Sequence, residues 1–187
     1  SSSSSSSTTA YNDNNKTIPL RLLPPVVAFA HIPTIDFAAV VAGGGPSSCR
    51  GERNEGIMNV SRDAGLVDTF IHAMGNVHVL AVGHMHGNDD CCPARTTKNA
   101  TTTTTTTTTT THHHHPTSSS NSSLLHLCFG RHSGYGGYGH WERGARVYEL
   151  TLTDDLQFSW TSYVRMESGK IQDVYVPTTT TTTTENV

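Results

Sequence analysis

The chain has 187 residues, of which 29 are Thr and 19 are Ser, and it carries 12 basic against 15 acidic side chains. This near-balance leaves no basic patch that would favour nucleic acid or an anionic membrane as a partner. The longest apolar window, residues 22–42, contains three prolines, His31 and Asp36, so a transmembrane helix is excluded there. Most of the hydroxyl residues lie in three homopolymer runs, Ser1 to Ser7, Thr101 to Thr111 and Thr178 to Thr184.

The composition divides the chain into two foldable blocks with polar segments around them. We expect a low-complexity segment at 1–17, a first block at 18–95, an insert at 96–123, a second block at 124–177 and a Thr-rich tail at 178–187. The insert lacks the apolar residues that would offset the entropy of ordering it. The Ser/Thr-rich segments are therefore predicted to be disordered.

The first block predicts the order strand, helix, strand. Val26–Ala30 is a short apolar run with β-branched residues, which favours a buried strand. Residues 43–56 contain three consecutive glycines and predict a loop. Five apolar residues within 64–74 lie on one face at helical spacing, so this stretch predicts an amphipathic helix that ends at Gly75. A second apolar strand is predicted over Val77–Val82.

Two histidines directly follow these two strands. Strands that are joined by a helical crossover run parallel, and their carboxyl ends therefore meet at the same sheet edge. His31 and His84 both lie at that edge, where open α/β sheets build their sites. Neighbouring strands are about 4.8 Å apart, so the two imidazoles can reach one metal ion.

The second block predicts mostly β-structure. A strand is expected over Leu124–Phe129, followed by a glycine-rich loop over 130–139. Ala145–Leu152 and Phe158–Met166 then form a predicted hairpin, with Trp160 in the core.

The four cysteines leave the redox compartment open. Cys91 and Cys92 are adjacent and no C-x-x-C pair is present, so a structural zinc knuckle is not expected. Either this pair forms disulfides with Cys49 and Cys128, or all four are free thiols. No signal peptide is visible in a chain that begins at Ser1, and a cytoplasmic location is slightly favoured over others.

The sharpest motif is the run GHMHGND over residues 83–89, in which two histidines are one residue apart. It occurs with the tripeptide His-Ile-Pro at 31–33, the run LCFGRHSGYGGYG at 127–139 and the run RGARVYEL at 143–150. In this order the motifs resemble those of the calcineurin-like metallophosphoesterases. The chain is most similar to their purple-acid-phosphatase-like branch.

This resemblance implies an α/β (α+β) fold, namely the C-terminal part of a four-layer αββα sandwich. The family builds a two-metal site from five motifs, and this chain matches the last two. By that correspondence His31 and His84 bind one metal and His86 binds the other, the ions being Fe, Zn or Mn. The motifs that hold a bridging aspartate, an asparagine ligand and a catalytic histidine are not found, so no catalytic residue is assigned. Met85 stands where the branch usually has an aspartate that is not a ligand.

The chemistry that the resemblance implies is hydrolysis of phosphate esters. Two metal ions activate a water molecule and neutralise the phosphate oxygens. In the glycine-rich loop, Arg131 and His132 are candidate phosphate-binding residues. The alternative is that the loop only makes turns.

Three functional hypotheses follow. The first is a metal-dependent phosphoesterase by family, inactive as this chain alone because three neutral histidines supply no bridging carboxylate. Clear turnover by this chain would overturn that expectation, and would mean that the missing carboxylates come from a partner chain or from Asp89 and Asp90. The second is a non-catalytic metal-binding or interaction protein that retains part of the fold. The third places function in the Thr and His tracts, with His112 to His115 as a metal-binding sequence, although a slipped codon repeat explains that tract more simply.

Overall fold

The computed structural model describes residues 9–11, 17–19, 23–44, 49–58, 65–94 and 125–177. Its strands are β1 (Thr9–Tyr11), β2 (Thr17–Pro19), β3 (Val26–Ala30), β4 (Val77–Val82), β5 (Cys91–Pro93), β6 (His126–Phe129), β7 (Gly144–Leu152), β8 (Phe158–Met166) and β9 (Ile171–Tyr175). Its helices are α1 (Asp36–Gly44) and α2 (Leu66–Thr69), and α2 continues as a π-helical turn over Phe70–Met74. The predicted insert and tail lie outside the described residues.

Two short strands precede β3 in the described residues. Strands β1 and β2 pair antiparallel, with Thr9 opposite Pro19.

The four-stranded sheet is the centre of the fold, and its order is β3-β4-β6-β5. Strands β3, β4 and β6 run parallel, and β5 pairs antiparallel with β6. The predicted parallel pairing of β3 with β4 is therefore present, and Ala30 lies opposite Val82 at their carboxyl ends. The inner strands β4 and β6 are buried almost throughout, with Val79 and Phe129 both 0% exposed.

Strand β3 is an outer strand of this sheet and is less buried than the sequence suggests. Its residues Val26 to Ala28 are half-buried, whereas Phe29 is 74% exposed and Ala30 is exposed. The apolar composition predicted a fully buried strand, because hydrophobicity alone cannot tell an inner strand from an edge strand.

Helix α1 was not predicted, because its sequence is apolar on most sides and ends in glycines that indicated a loop. At its first turn, the hydroxyl of Thr34 donates a hydrogen bond to Oδ2 of Asp36 at 2.9 Å. Phe37 and Val40, three residues apart on one face, are buried against the sheet.

The predicted helix after the loop is present, but half of it is not an α-helix. Val67 is buried, and Leu66, Phe70 and Ile71 pack on the same core, as the apolar pattern indicated. Gly75 ends the helix with φ 64°, and its N–H donates to the carbonyl oxygen of Phe70. A π-helical turn holds one extra residue, which shifts Met74 out of the apolar stripe and leaves it 37% exposed.

The second sheet is an antiparallel meander of β7, β8 and β9. The predicted hairpin matches β7 and β8 to within one residue, whereas β9 was not predicted. Trp160 and Tyr175 from this sheet pack on Val79, Ala81 and Cys128 of the four-stranded sheet. The helices pack on its opposite face, with Phe37, Val67, Leu80 and Leu127 in one cluster. Helices, sheet and sheet thus form three layers, consistent with part of an α+β sandwich.

The cysteines are paired in two disulfides, Cys49–Cys92 and Cys91–Cys128. Successive residues of a strand face opposite sides, so the adjacent cysteines of β5 bind different partners. The Cys49–Cys92 disulfide links β5 to the loop before α2, and the Cys91–Cys128 disulfide links β5 to β6. The sequence alone left open whether these cysteines are paired or free. Disulfides are typical of oxidising compartments.

No helix among the described residues combines the length and the hydropathy that are needed to span a bilayer.

Two phenylalanines give a matched test of this core. Phe37 is 2% exposed and its ring lies 5.0 Å from that of Phe129, whereas Phe29 is 74% exposed. We expect Phe37→Ala to lower the free energy of unfolding by about 3–5 kcal/mol, because it leaves a cavity. Phe29→Ala should change it by no more than about 0.5 kcal/mol. Urea denaturation of both variants checks this, and equal losses would contradict the layer arrangement.

Candidate metal centre

His31 and His84 lie side by side at the carboxyl ends of β3 and β4. The distance between Nε2 of His31 and Nδ1 of His84 is 3.3 Å, and the two rings meet edge to face. The N–H of Gly83 donates to the carbonyl oxygen of His31 at 3.1 Å, which extends the pairing of the strands by one residue. His84 has a φ of 68°, in the left-handed region. Such conformations are uncommon for residues other than glycine and occur often at functional sites.

The spacing of these nitrogens suits one metal ion. Two histidine nitrogens that bind a tetrahedral Zn²⁺ at about 2.0–2.1 Å lie about 3.3–3.4 Å apart. His31 is exposed and His84 is half-buried, so both rings are open to solvent. The donor set therefore fits one divalent ion of the kind that imidazole binds.

His86 packs against the glycine-rich loop over 130–139, where it contacts two of the loop's rings. The imidazole of His132 stacks on it at 3.8 Å between ring centres, and the ring of Tyr138 stacks on it at 4.1 Å. Nδ1 of His86 lies 2.9 Å from the carbonyl oxygen of Tyr138. Nδ1 therefore carries the proton, and Nε2 is left as the nitrogen able to bind a metal.

Glu55 links the histidine motif to the glycine-rich loop, although nothing in the sequence indicated this role. One carboxylate oxygen of Glu55 accepts the N–H of Gly87 at 2.6 Å, and the other accepts the hydroxyl of Tyr138 at 2.7 Å. Burial, then the bond to Glu55, raises the pKa of Tyr138, which keeps the phenol protonated as a donor. A Cβ on Gly87 would lie 2.8 Å from the ring of Trp141, so a larger residue would force that ring to shift.

The acidic residues after the histidine motif face the interior. Asp89 is fully buried; its Oδ1 accepts the N–H of Glu52 at 2.6 Å, and its Oδ2 accepts Nη1 of Arg131 at 2.9 Å. Asp90 is buried and forms a bidentate ion pair with Arg53. Because arginines already neutralise both carboxylates, neither is free to bridge two metal ions.

Arg131 has a different place from the one expected of a phosphate ligand. Its side chain is 3% exposed and its guanidinium binds Asp89, Glu52 and the carbonyl oxygen of Glu142. Its guanidinium is therefore occupied by protein acceptors inside the fold. His132 is half-buried on the His86 ring, and burial, followed by the His86 charge, lowers its pKa. That shift favours a neutral imidazole.

Three potential metal donors converge elsewhere. Oxygen and sulfur atoms of Cys49, Asp90 and Cys92 lie within 4.8 Å of one another. The two sulfurs are joined in a disulfide, and metals bind the thiolate form. In the part of the chain that the structure describes, no comparable group of three donors includes a histidine.

The comparisons with known proteins agree with the motifs. The chain is 28% identical over 162 residues to a protein of Arabidopsis thaliana named "Probable inactive purple acid phosphatase 29", a match that covers 86% of this chain and 33% of that protein. It is 29% identical over 131 residues to "Probable inactive purple acid phosphatase 28" of the same plant, covering 69% of this chain and 25% of that protein. No family model matches the chain. No solved structure matches it either.

These matches define a distant relationship to purple acid phosphatase-like proteins. The chain spans a third or less of the length of either curated relative. Both relatives are named probable inactive phosphatases, so these matches are not evidence of phosphatase activity.

The buried ion pair gives the second test. We expect Arg131→Met to lower the free energy of unfolding by about 3–5 kcal/mol, because it leaves Asp89 buried without its cation. Adding Asp89→Asn should recover part of the loss, since the amide oxygen still accepts the N–H of Glu52 and carries no charge. The measurement is a double-mutant cycle by urea denaturation, with Arg165→Met on the exposed face of β8 as the control. Additive losses in the double variant would contradict a direct ion pair.

Proposed function

We propose that this chain carries the histidine half of a metallophosphoesterase metal centre and does not hydrolyse phosphate esters by itself. The observation that carries the proposal is the 3.3 Å separation of the His31 and His84 nitrogens at two neighbouring strand ends. The relationship to purple acid phosphatase-like proteins supports the same site. His86 is our candidate ligand for a second ion.

The residues of this chain would have separate roles in such a centre. His31 and His84 would hold one divalent ion, while the carbonyl oxygen of Tyr138 fixes the tautomer of His86. When bound, a metal pair would supply an activated water and positive charge for the phosphate oxygens. His132, stacked on His86, remains our candidate for a hydrogen bond to a phosphate ester.

A bridging anion is missing from this arrangement. Two dications at about 3.5–4 Å repel strongly and need a carboxylate or similar group between them. Asp89 and Asp90 are committed to Arg131 and Arg53. The proposal therefore gives this chain one ion of modest affinity, and its metal is Zn, Mn or Fe.

Metal binding is the direct test. We expect one Zn²⁺ per chain by calorimetry and metal analysis, with His31→Ala or His84→Ala weakening binding at least tenfold, because each removes one of two donors. His72→Ala, in the exposed helix turn beside Asp68, should leave it unchanged.

The four consecutive histidines of the insert are themselves potential Zn²⁺ ligands, so they must be replaced before binding can be assigned to His31 and His84. All variants therefore carry Asn in place of His112 to His115, which lie outside the described residues. Loss of all Zn²⁺ binding in that background would contradict the proposal and favour function in the tract.

Turnover gives a separate prediction. With Zn²⁺, Mn²⁺ or Fe²⁺ added, we expect hydrolysis of a chromogenic phosphate monoester by the chain to stay at the rate of the His84→Ala variant. The reason is the missing carboxylate bridge. Hydrolysis well above that rate, abolished by His84→Ala, would contradict this part of the proposal and show a complete active site.

A non-catalytic role is the second candidate, and a specific observation favours it. The carboxylates nearest the histidine motif stabilise the fold instead of binding metal. Under this alternative the metal would be structural. Removing it with a chelator would then lower the melting temperature, whereas a half-site open to solvent predicts little change.

A further inference from the structure

The two disulfides differ in how far a soluble thiol can reach them. Cys91 and Cys128 are both fully buried and lie in the cluster between the two sheets. Cys92 is buried as well, but its partner Cys49 is half-buried in the loop before α2. Thiol–disulfide exchange requires a thiolate to contact one of the two sulfurs. The Cys49–Cys92 disulfide is therefore the one that a soluble reductant opens first.

Backbone hydrogen bonds hold Cys49 beside β5 independently of its sulfur–sulfur bond. The N–H of Arg50 donates to the carbonyl oxygen of Cys91 at 3.0 Å, and the N–H of Cys91 donates to the carbonyl oxygen of Arg50 at 2.7 Å. Three residues further along the loop, Arg53 forms its ion pair with Asp90. Reduction breaks none of these contacts, so the two thiols stay close together.

Asp90 supplies a third donor at the same place. Sγ of Cys92 lies 3.4 Å from Oδ2 of Asp90, and both side chains are buried. The donor atoms of Cys49, Asp90 and Cys92 all lie within 4.8 Å of one another. Donors on one tetrahedral Zn²⁺ lie about 3.5–3.8 Å apart, because its bonds to sulfur and oxygen are about 2.3 Å and 2.0–2.2 Å long. Small side-chain rotations bring the two sulfurs to that spacing once the bond between them is broken.

Arg53 determines which charge this place can hold. Its guanidinium forms two hydrogen bonds with the carboxylate of Asp90, and the two charges cancel. Two thiolates next to this pair would leave two negative charges in the interior, which is strongly unfavourable. One dication removes that excess. A carboxylate oxygen has two acceptor positions, so Oδ2 can bind a metal while Arg53 stays attached.

We propose that reduction of the Cys49–Cys92 disulfide creates a Zn²⁺ site whose protein ligands are the two cysteines and Asp90. A dithiol reductant breaks the sulfur–sulfur bond and becomes a disulfide itself, which leaves two cysteine thiols. These thiols release two protons to solvent as two Zn–S bonds form. Thiolate ligands select Zn²⁺ over harder dications, and water reaches the half-buried Cys49 to complete the tetrahedral shell.

The exchange keeps the loop before α2 attached in both redox states. This loop carries Glu52, which binds Arg131, and Glu55, which binds Tyr138 of the glycine-rich loop. The disulfide attaches the loop covalently, and the metal attaches it by coordination after reduction. None of the three ligands belongs to the histidine motifs, so this site is independent of the proposed histidine centre.

The test uses the full chain with His31 and His84 replaced by Ala and His112 to His115 replaced by Asn, so that the other candidate Zn²⁺ ligands are removed. The chain is reduced with a phosphine, and the free thiols are alkylated and located by mass spectrometry. We expect Cys49 and Cys92 to be alkylated before the Cys91–Cys128 pair.

Co²⁺ and Zn²⁺ are the metal probes. The reduced chain should bind one Co²⁺ with the near-ultraviolet absorption of a cobalt–thiolate bond, and Zn²⁺ should displace it. The oxidised chain should show no such absorption, and its Zn²⁺ affinity by calorimetry should be at least tenfold weaker, because a disulfide offers no thiolate.

Matched variants identify the ligands in the reduced chain. Cys49→Ser and Asp90→Asn should each weaken Zn²⁺ binding at least tenfold, because each replaces one of three protein donors. Asp154→Asn, in the exposed turn between β7 and β8, should leave binding within twofold. Circular dichroism establishes that the variants keep their β-structure.

Three results would overturn the inference. One is a folded, reduced chain with free thiols at Cys49 and Cys92 that binds neither probe. Another is equal binding by the Cys49→Ser variant, which would place the metal elsewhere. The third is simultaneous release of all four thiols with loss of the β-structure, because the backbone would then not hold the cysteines together. Each of these leaves Zn²⁺ binding through His31 and His84 to be judged in the chain that retains them.

Discussion

The ion pair between Asp89 and Arg131 is the contact on which the arrangement of this molecule depends. Both side chains are buried, and their partners come from three separate parts of the chain. The carboxylate of Asp89 accepts the N–H of Glu52, in the loop before α2. The guanidinium of Arg131 donates to the carbonyl oxygen of Glu142, two residues before β7 begins. Charges buried in this way are tolerated only when hydrogen bonds satisfy the remaining donors and acceptors. The pair therefore fixes how the loops meet at the ends of β4 and β6.

A second buried arginine extends the same network between the sheets. Arg146 in β7 donates to the carbonyl oxygens of Phe129 and Asp89 and to the hydroxyl of Ser162. Burial lowers its pKa, and the nearby acidic groups oppose that shift. The carbonyl groups at the end of β6 are thus paired across the layer boundary. The histidines lie at the carboxyl ends of β3 and β4, and Arg146 fixes the backbone of the neighbouring segments at Phe129 and Asp89.

Most of what the sequence predicted depends on local pattern. Strand β4 follows from a short apolar run, and the hairpin of β7 and β8 from two β-rich stretches around a turn. The meeting of His31 with His84 follows from parallel strands. Helix α1, β5 and β9 were missed. The first has an apolar sequence that ends in glycine, and the other two are short strands that depend on pairing with distant residues.

The site was predictable only in its histidines. Motif spacing identified them, whereas the inward turn of Arg131 depends on where Asp89 lies, 42 positions earlier in the chain. The role of Glu55 could not be predicted either. Its carboxylate accepts hydrogen bonds from Gly87 and Tyr138, which lie far from it in the sequence and share no motif with it. Whether His31, His84 and His86 ligate metal remains a prediction.

The disulfide between Cys91 and Cys128 has a consequence for the life of the polypeptide. The covalent ring that it closes spans 37 positions and encloses the whole Thr/His-rich insert. A protease that cuts once inside the insert therefore releases nothing, since the two blocks remain linked through β5 and β6. Such a nicked chain stays one covalent molecule until a reductant reaches the bond, and its two fragments then part when the shared sheet is unfolded. The insert can thus be cleaved in an oxidising environment without dividing the molecule.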